Sequence, residues 1–192
     1  MIANKLINYS FIFFYIFERV LELILNQVNR KIMIERYFAT VKFPREAMKM
    51  RIFHILWFFS LIFETYIHGQ LVSGLIFYVC LIILILAQAL RWYAIYTLGP
   101  YWSVDIYQVK MHPIVKKGPY AYFRHPNYFA VMLEFLVLPY SLGCPVTLIW
   151  GSIINYFILQ KRIKLEELAL STQSNDSYQQ QVPFWYKKSK IG

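Results

Sequence analysis

Leu71-Val-Ser-Gly-Leu-Ile-Phe-Tyr-Val-Cys80-Leu-Ile-Ile-Leu-Ile-Leu-Ala-Gln-Ala-Leu90-Arg-Trp-Tyr-Ala-Ile-Tyr96 carries one charged side chain, Arg91, in an otherwise apolar and aromatic run. The run exceeds the roughly 20 residues that a helix needs to cross a bilayer. Lipid offers no hydrogen bonds to the backbone, so such a segment must satisfy its own amides, which selects a helix. Outward from this run lie four further apolar segments, Leu6–Leu25, Ile52–Ile67, Tyr128–Leu142 and Pro145–Leu159. The last is expected to continue as a helix out of the membrane to Leu170. His68-Gly-Gln70 and Gly143-Cys-Pro145 are short joints that fit helical hairpins. The predicted fold is an all-α integral membrane protein of about five transmembrane helices, with a cytoplasmic loop and a C-terminal helix. Residues 1–90 would hold the N-terminal spans, including part of the third, and residues 91–192 the functional core.

Composition agrees with this class. Of the 192 residues, 58% are hydrophobic, 19% aromatic and only 16% charged, less charge than a soluble domain carries. The net charge of +10 raises the question of nucleic acid, but the basic residues fall between apolar spans and not on one face. Eighteen of the twenty basic residues lie in three regions: Arg30 to Arg51, Arg91 to Arg124, and Lys161 to Lys190. The two short joints hold none. By the positive-inside rule the three basic regions face the cytoplasm and the N-terminus faces out, an arrangement that needs an odd number of spans. The expectation is a multi-pass membrane protein with membrane lipids as partners and no nucleic acid. Cys80 and Cys144 lie in or beside apolar runs without ligand spacing; they are expected to be buried free thiols, and no metal site is predicted. The first apolar run lacks a small-residue cleavage site, so no removable signal peptide is expected.

Chemistry concentrates in three places. Arg124-His125-Pro126-Asn127-Tyr128 stands at the mouth of the fourth span. Pro126 suits the first turn of a helix, which places His125 at its N-terminus, where free amides attract a carboxylate or phosphate. An interface anchor is an equally good reading of those residues alone. Arg162-Ile-Lys-Leu-Glu166-Glu167 puts Arg162 and Glu166 on one helix face. The short hairpin between the fourth and fifth spans would bring His125, Asn127, Arg162 and Glu166 together on the cytoplasmic side. His112-Pro-Ile-Val-Lys-Lys-Gly-Pro-Tyr120 reads as an extended stretch followed by a turn. Within the spans, Glu18 and Glu22 share a face beside Arg19 and read as interhelical contacts. Glu134 needs a partner or a proton; it reads as a structural hydrogen-bonding group, with the wall of a substrate cavity as the alternative.

These segments, in this order and spacing, resemble the isoprenylcysteine carboxyl methyltransferase family. The resemblance covers about Leu90 to Leu170 and rests on His112-Pro-Ile-Val115, Gly118-Pro-Tyr-Ala-Tyr-Phe-Arg-His-Pro-Asn-Tyr128 and Arg162-x-x-x-Glu166-Glu167. Leu90-Arg-Trp-Tyr-Ala-Ile-Tyr-Thr-Leu-Gly-Pro-Tyr-Trp102 looks more like the bacterial branch, which includes methyltransferases for alkylpyrones and alkylresorcinols. The resemblance implies a membrane-embedded methyltransferase using S-adenosylmethionine. It implies that His112, Pro113, Ile114, Val115 and Tyr120 surround the adenosine. His125, Pro126, Asn127, Tyr128 and Glu166 would hold the rest of the cofactor, Arg162 would face the substrate, and Gln108 could be a further contact. The tail, Asn175-Asp-Ser-Tyr178-Gln-Gln-Gln181, departs from the family pattern.

His125, Arg162 and Glu166 are thus the candidate catalytic residues, with Arg162 and Glu134 toward the substrate. A carboxylate acceptor needs no base, and Arg162 would orient it. An enol or phenol benefits from one, for which His125 or Glu166 is the candidate. O-methylation of a lipophilic acceptor is the leading expectation. The alternatives are a phospholipid N-methyltransferase, an NADPH-dependent enzyme of the sterol-reductase type, and a non-enzymatic membrane scaffold.

Overall fold

A computed structural model describes residues 2–68, 70–109 and 115–171. Its helices are α1 (Ile2–Tyr37), α2 (Pro44–Ile67), α3 (Leu75–Leu98), α4 (Pro126–Ser141) and α5 (Pro145–Ser171). Two of them, Pro44–Ile67 and Leu75–Tyr101 with its 3-10 extension, are long and apolar enough to cross a membrane. The first helix runs well past the expected end at Leu25. No Gly or Pro occurs before Pro44, so nothing breaks it until Phe38 turns the chain at a φ of 49°. The polar segment after Leu25 is therefore largely helix and not a connecting loop. The fold is also not purely helical. Thr40–Lys42 (β1) pairs antiparallel with Ile106–Gln108 (β2), Val41 opposite Tyr107. These strands are too short for a periodicity signal and exist because the two segments meet in space.

Many large apolar side chains point outward, while several charged ones, Glu22, Arg91, Glu134 and Arg162 among them, are buried with an apolar core. Phe13, Phe59, Phe63, Ile82, Leu86, Ile149 and Phe157 are exposed, a surface that suits lipid and would be a liability in water. Inside, Phe135 of α4 stacks on Trp57 of α2 at 4.1 Å between ring centroids and on Phe53 at 5.4 Å. Leu61, Leu138, Leu142 and Leu159 complete this core. Gly151 lets α5 reach it, since a Cβ there would lie 2.6 Å from the Trp57 ring. Pro139 within α4 donates no amide to the carbonyl of Phe135. The Ser152 hydroxyl of α5 donates to that carbonyl instead, at 3.1 Å.

The two hairpins meet at one end. The Val72 amide donates to the Ser141 carbonyl at 3.1 Å. Glu64, at the end of α2, accepts the Val146 and Thr147 amides at 2.9 and 2.7 Å, placing a carboxylate on the positive N-terminus of α5. Both cysteines are buried and free. The β1–β2 pair, the loop after α3, the start of α4 and the outer part of α5 gather at the opposite end.

Candidate active site

The loop after α3 is pinned by α1. Asn26 accepts from the Ser103 hydroxyl and the Val104 amide at 2.7 and 2.8 Å. Asn29 donates to the Trp102 carbonyl at 2.8 Å, and Arg51 holds Asp105 at 2.8 Å. Gly118 starts the turn before α4 at a φ of 58°, against Thr97 of α3, where a Cβ would lie 2.8 Å from the Thr97 hydroxyl. The chain then enters α4 with His125 at the cap and Pro126 in the first turn.

This arrangement brings the motif residues together. Tyr128 donates from its hydroxyl to Glu166 at 2.6 Å. Arg162 donates from Nε to the same hydroxyl at 3.4 Å and from Nη2 to the Val104 carbonyl at 2.7 Å. His125 stacks on Tyr128, ring centroids 5.5 Å apart. Its Nε2 lies 3.3 Å from Glu167, which also receives Arg124 at 2.5 Å. The His125 hydrogen bond first, and the Arg124 guanidinium after it, hold the Glu167 carboxyl down to about 2 against the upward push of partial burial. Glu167 is therefore an anion at neutral pH, so Nε2 of His125 is the donor of that pair. Arg162 and Glu166 do not form the direct pair that their spacing allows; Tyr128 stands between them.

Two cavities meet here. The more polar one, of about 110 Å³, includes Val115, Tyr120, Arg124, His125 and Glu166 in its wall. The other, of about 340 Å³, runs between α1, α2 and α4 past Ile16, Leu23, Ile55, Phe58 and Val131 and is predominantly apolar. Trp102, Ser103, Asn127, Tyr128 and Arg162 belong to both. On that shared wall, Asn127 Oδ1 and Arg162 Nη1 are buried without a hydrogen-bond partner among the described residues, and buried polar groups are rarely left so without a ligand or water to meet them. An unpartnered acceptor and donor, the Glu166 carboxylate and the aromatic rings of Tyr101, Trp102 and Tyr107 can meet a ligand that has hydrogen-bonding, charged and flat aromatic parts.

Other predicted residues are placed differently. Glu134 lies in an interior ion network and not on either cavity wall. Arg19 reaches it at 2.7 Å and Arg91 at 3.4 Å, and both arginines also bind Glu22. Glu18 accepts from the Trp92 indole at 2.5 Å. Gln108 ends β2, opposite Thr40. His112, Pro113, Ile114 and the tail around Tyr178 lie outside the described residues. Sequence reasoning missed Trp102, Ser103, Asp105 and Tyr107 as cavity residues, and missed α1 as their support. Asn26 and Asn29, about one helical turn apart and so on one face of a helix, were the available signal.

Residues 80–172 match the isoprenylcysteine carboxyl methyltransferase (ICMT) family. The chain is similar to the uncharacterized protein YpbQ of Bacillus subtilis, 39% identical over 121 residues, which is 63% of this chain and 71% of that protein. It is similar also to an uncharacterized protein of Haemophilus influenzae, 36% identical over 129 residues, covering 66% of this chain and 74% of the other. The matched span runs from α3 through α5 and takes in Asn127, Tyr128, Arg162 and Glu166 at the meeting of the two cavities. The chain belongs to the isoprenylcysteine carboxyl methyltransferase family, a family of membrane methyltransferases.

Proposed function

We propose that this protein uses S-adenosylmethionine to methylate an oxygen of a lipophilic acceptor, at the cytoplasmic end of a bundle of five membrane-crossing helices. The observation that carries the reading is the wall shared by a mixed cavity bearing Arg124, His125 and Glu166 and a predominantly apolar one. A water-soluble donor and a lipid acceptor must approach from different phases, and a shared wall lets them meet. The basic clusters Arg30 to Arg51 and Lys161 to Lys164 lie on the site's end of the chain's helices, which supports a cytoplasmic orientation.

In this reading Glu166, Asn127, His125, Tyr120 and Val115 hold the cofactor, which supplies a methyl group activated on a sulfonium. The chain's own part is alignment. Tyr128 couples Arg162 to Glu166 through one hydroxyl, so the donor-side and acceptor-side groups keep a fixed relation. Arg162 is 3% exposed and has Nη1 available to an acceptor oxygen. A guanidinium on the shared wall attracts an anionic oxygen and repels an ammonium head group, which favours O-methylation over N-methylation. The Glu167–Arg124–His125 set fixes the first turn of α4.

The test is calorimetric binding of S-adenosylmethionine to purified protein in detergent, followed by product analysis with labelled methyl donor on a lipid extract. Glu166→Gln should weaken cofactor binding about tenfold or more, the loss of a charge-assisted hydrogen bond. Unchanged affinity in that variant, or no binding by the wild type, would refute the site assignment.

A further inference from the structure

Arg162 shares its end of the apolar cavity with a second guanidinium. Arg51 comes from α2, outside residues 80–172 that match the family, and lines the apolar cavity together with Arg162. Neighbouring residues of one loop anchor the two. Arg51 donates from Nη2 to the Asp105 carboxylate at 2.8 Å, and Arg162 donates from Nη2 to the Val104 carbonyl at 2.7 Å. Consecutive Cα atoms lie about 3.8 Å apart, so anchors on adjacent residues bring both guanidiniums to one stretch of wall. The loop itself is held there. The Val104 amide donates to Asn26 at 2.8 Å, and the Asp105 amide donates to the Ser103 hydroxyl at 2.9 Å. Each arginine also keeps a donor unused. Arg51 Nε and Arg162 Nη1 are buried without a hydrogen-bond partner among the described residues. Leaving such a donor unmet costs free energy, so each needs an acceptor from outside these side chains.

We propose that Arg51 is a second acceptor-binding residue, whose Nε holds an oxygen of the lipid head group other than the one that is methylated. The inference rests on the methyltransferase reading and adds to it the residue that selects and aligns the head group. Arg162 lines both cavities, whereas Arg51 lines only the apolar one. An oxygen on Arg162 Nη1 is therefore the one next to the methyl donor. That oxygen bonds to the methyl carbon through a lone pair, and the carbon–sulfur bond breaks with its pair remaining on sulfur. The second oxygen stays on Arg51 throughout. One hydrogen bond leaves a head group free to swing, while two fix the line along which the reacting oxygen points. A head group with a single oxygen would leave Arg51 Nε unmet and be bound more weakly. Asp105 lines the other cavity and neutralises Arg51 across the partition. The contribution of Arg51 is thus directional hydrogen bonding more than net charge.

The test uses the full chain in detergent and two probes of equal chain length, dodecanoate with two oxygens and dodecanol with one. Calorimetric titration gives the affinity for each. Arg51→Lys keeps a charge facing Asp105 but puts a carbon where Nε stands. It should weaken dodecanoate binding about tenfold, the loss of one hydrogen bond to a charged group. Its affinities for dodecanol and for S-adenosylmethionine should match those of the wild type. If Arg51→Lys does not fold, Arg51→Gln combined with Asp105→Asn removes both charges together and should show the same selective loss. Equal dodecanoate affinity in wild type and variant would overturn the inference. So would an equal loss for both probes, which marks a packing role, and so would failure of the wild type to bind dodecanoate. Failure of the wild type to bind S-adenosylmethionine would instead remove the cofactor reading, with the comparison of probes still judging Arg51.

Discussion

Replacing Glu134 by Gln should destabilise the protein severely, and the ion network says by how much. Arg19, Glu22, Arg91 and Glu134 form a closed set of two cations and two anions joining α1, α3 and α4. Side-chain exposures are 3% for Glu134, 4% for Glu22, 6% for Arg91 and 13% for Arg19. Glutamine keeps the shape but leaves two guanidiniums against the single carboxylate of Glu22. Breaking a buried pair by removing one partner costs about 3–5 kcal/mol, because the remaining charge has lost its counter-ion. For a chain of this size each kcal/mol moves the melting temperature by roughly 2–4 °C, so the variant should melt on the order of 10 °C lower. Adding Arg19→Gln restores neutrality, since Arg91 keeps its two bonds to Glu22. The double variant should therefore lose much less than the sum of the two single losses. Thermal unfolding in detergent, followed by circular dichroism, gives the complete double-mutant cycle. A Glu134→Gln protein melting within about 2 °C of the wild type, or strictly additive losses, would refute the neutral-network reasoning.

Further outcomes follow from other contacts. Glu167 lies beyond the expected end of the fifth span at Leu159. Its folded-state pKa is depressed from 4.5 to about 2, so its contribution is present above pH 4.5 and is lost as pH falls toward 2. Discounted for its partial exposure, Glu167→Gln should cost ~1–2 kcal/mol at neutral pH. Acid titration of stability should then show a flatter curve for the variant between pH 4.5 and 2. Glu64→Ala removes the carboxylate from the α5 amides of Val146 and Thr147 and should cost about 1–2 kcal/mol in the same melting assay. Gly151→Ala drives a methyl into Trp57 and should cost ~1–3 kcal/mol, accompanied by a change in tryptophan fluorescence.

Helix type and approximate extent were legible where the signal is local. The apolar run around Cys80 appears as α3, and the segment expected from Pro145 to Leu170 appears as α5 with nearly the same limits. The juxtaposition of His125, Asn127, Arg162 and Glu166 also followed from a short hairpin between two neighbouring helices. By contrast, apolar content alone ends the first segment at Leu25. The helix in fact continues, and its Asn26 and Asn29 are polar because they hold the loop of residues 99–108.

By itself the sequence determined that lipid would be the solvent, that the chain would be mainly helical, and that the motif from Gly118 to Tyr128 would open a helix. All are properties of composition, length and residues a few positions apart. Only the tertiary structure decided where the buried charges find partners. Arg19 and Glu134 lie 115 residues apart and meet at 2.7 Å, and β1 and β2 pair across the fold. It also decided that Arg51, one of several basic residues before the expected second span, shares a cavity with Arg162. The reason is that hydropathy fixes how far a helix extends, whereas its rotation about its own axis, and so the direction of each polar side chain, is set by the helices packed against it.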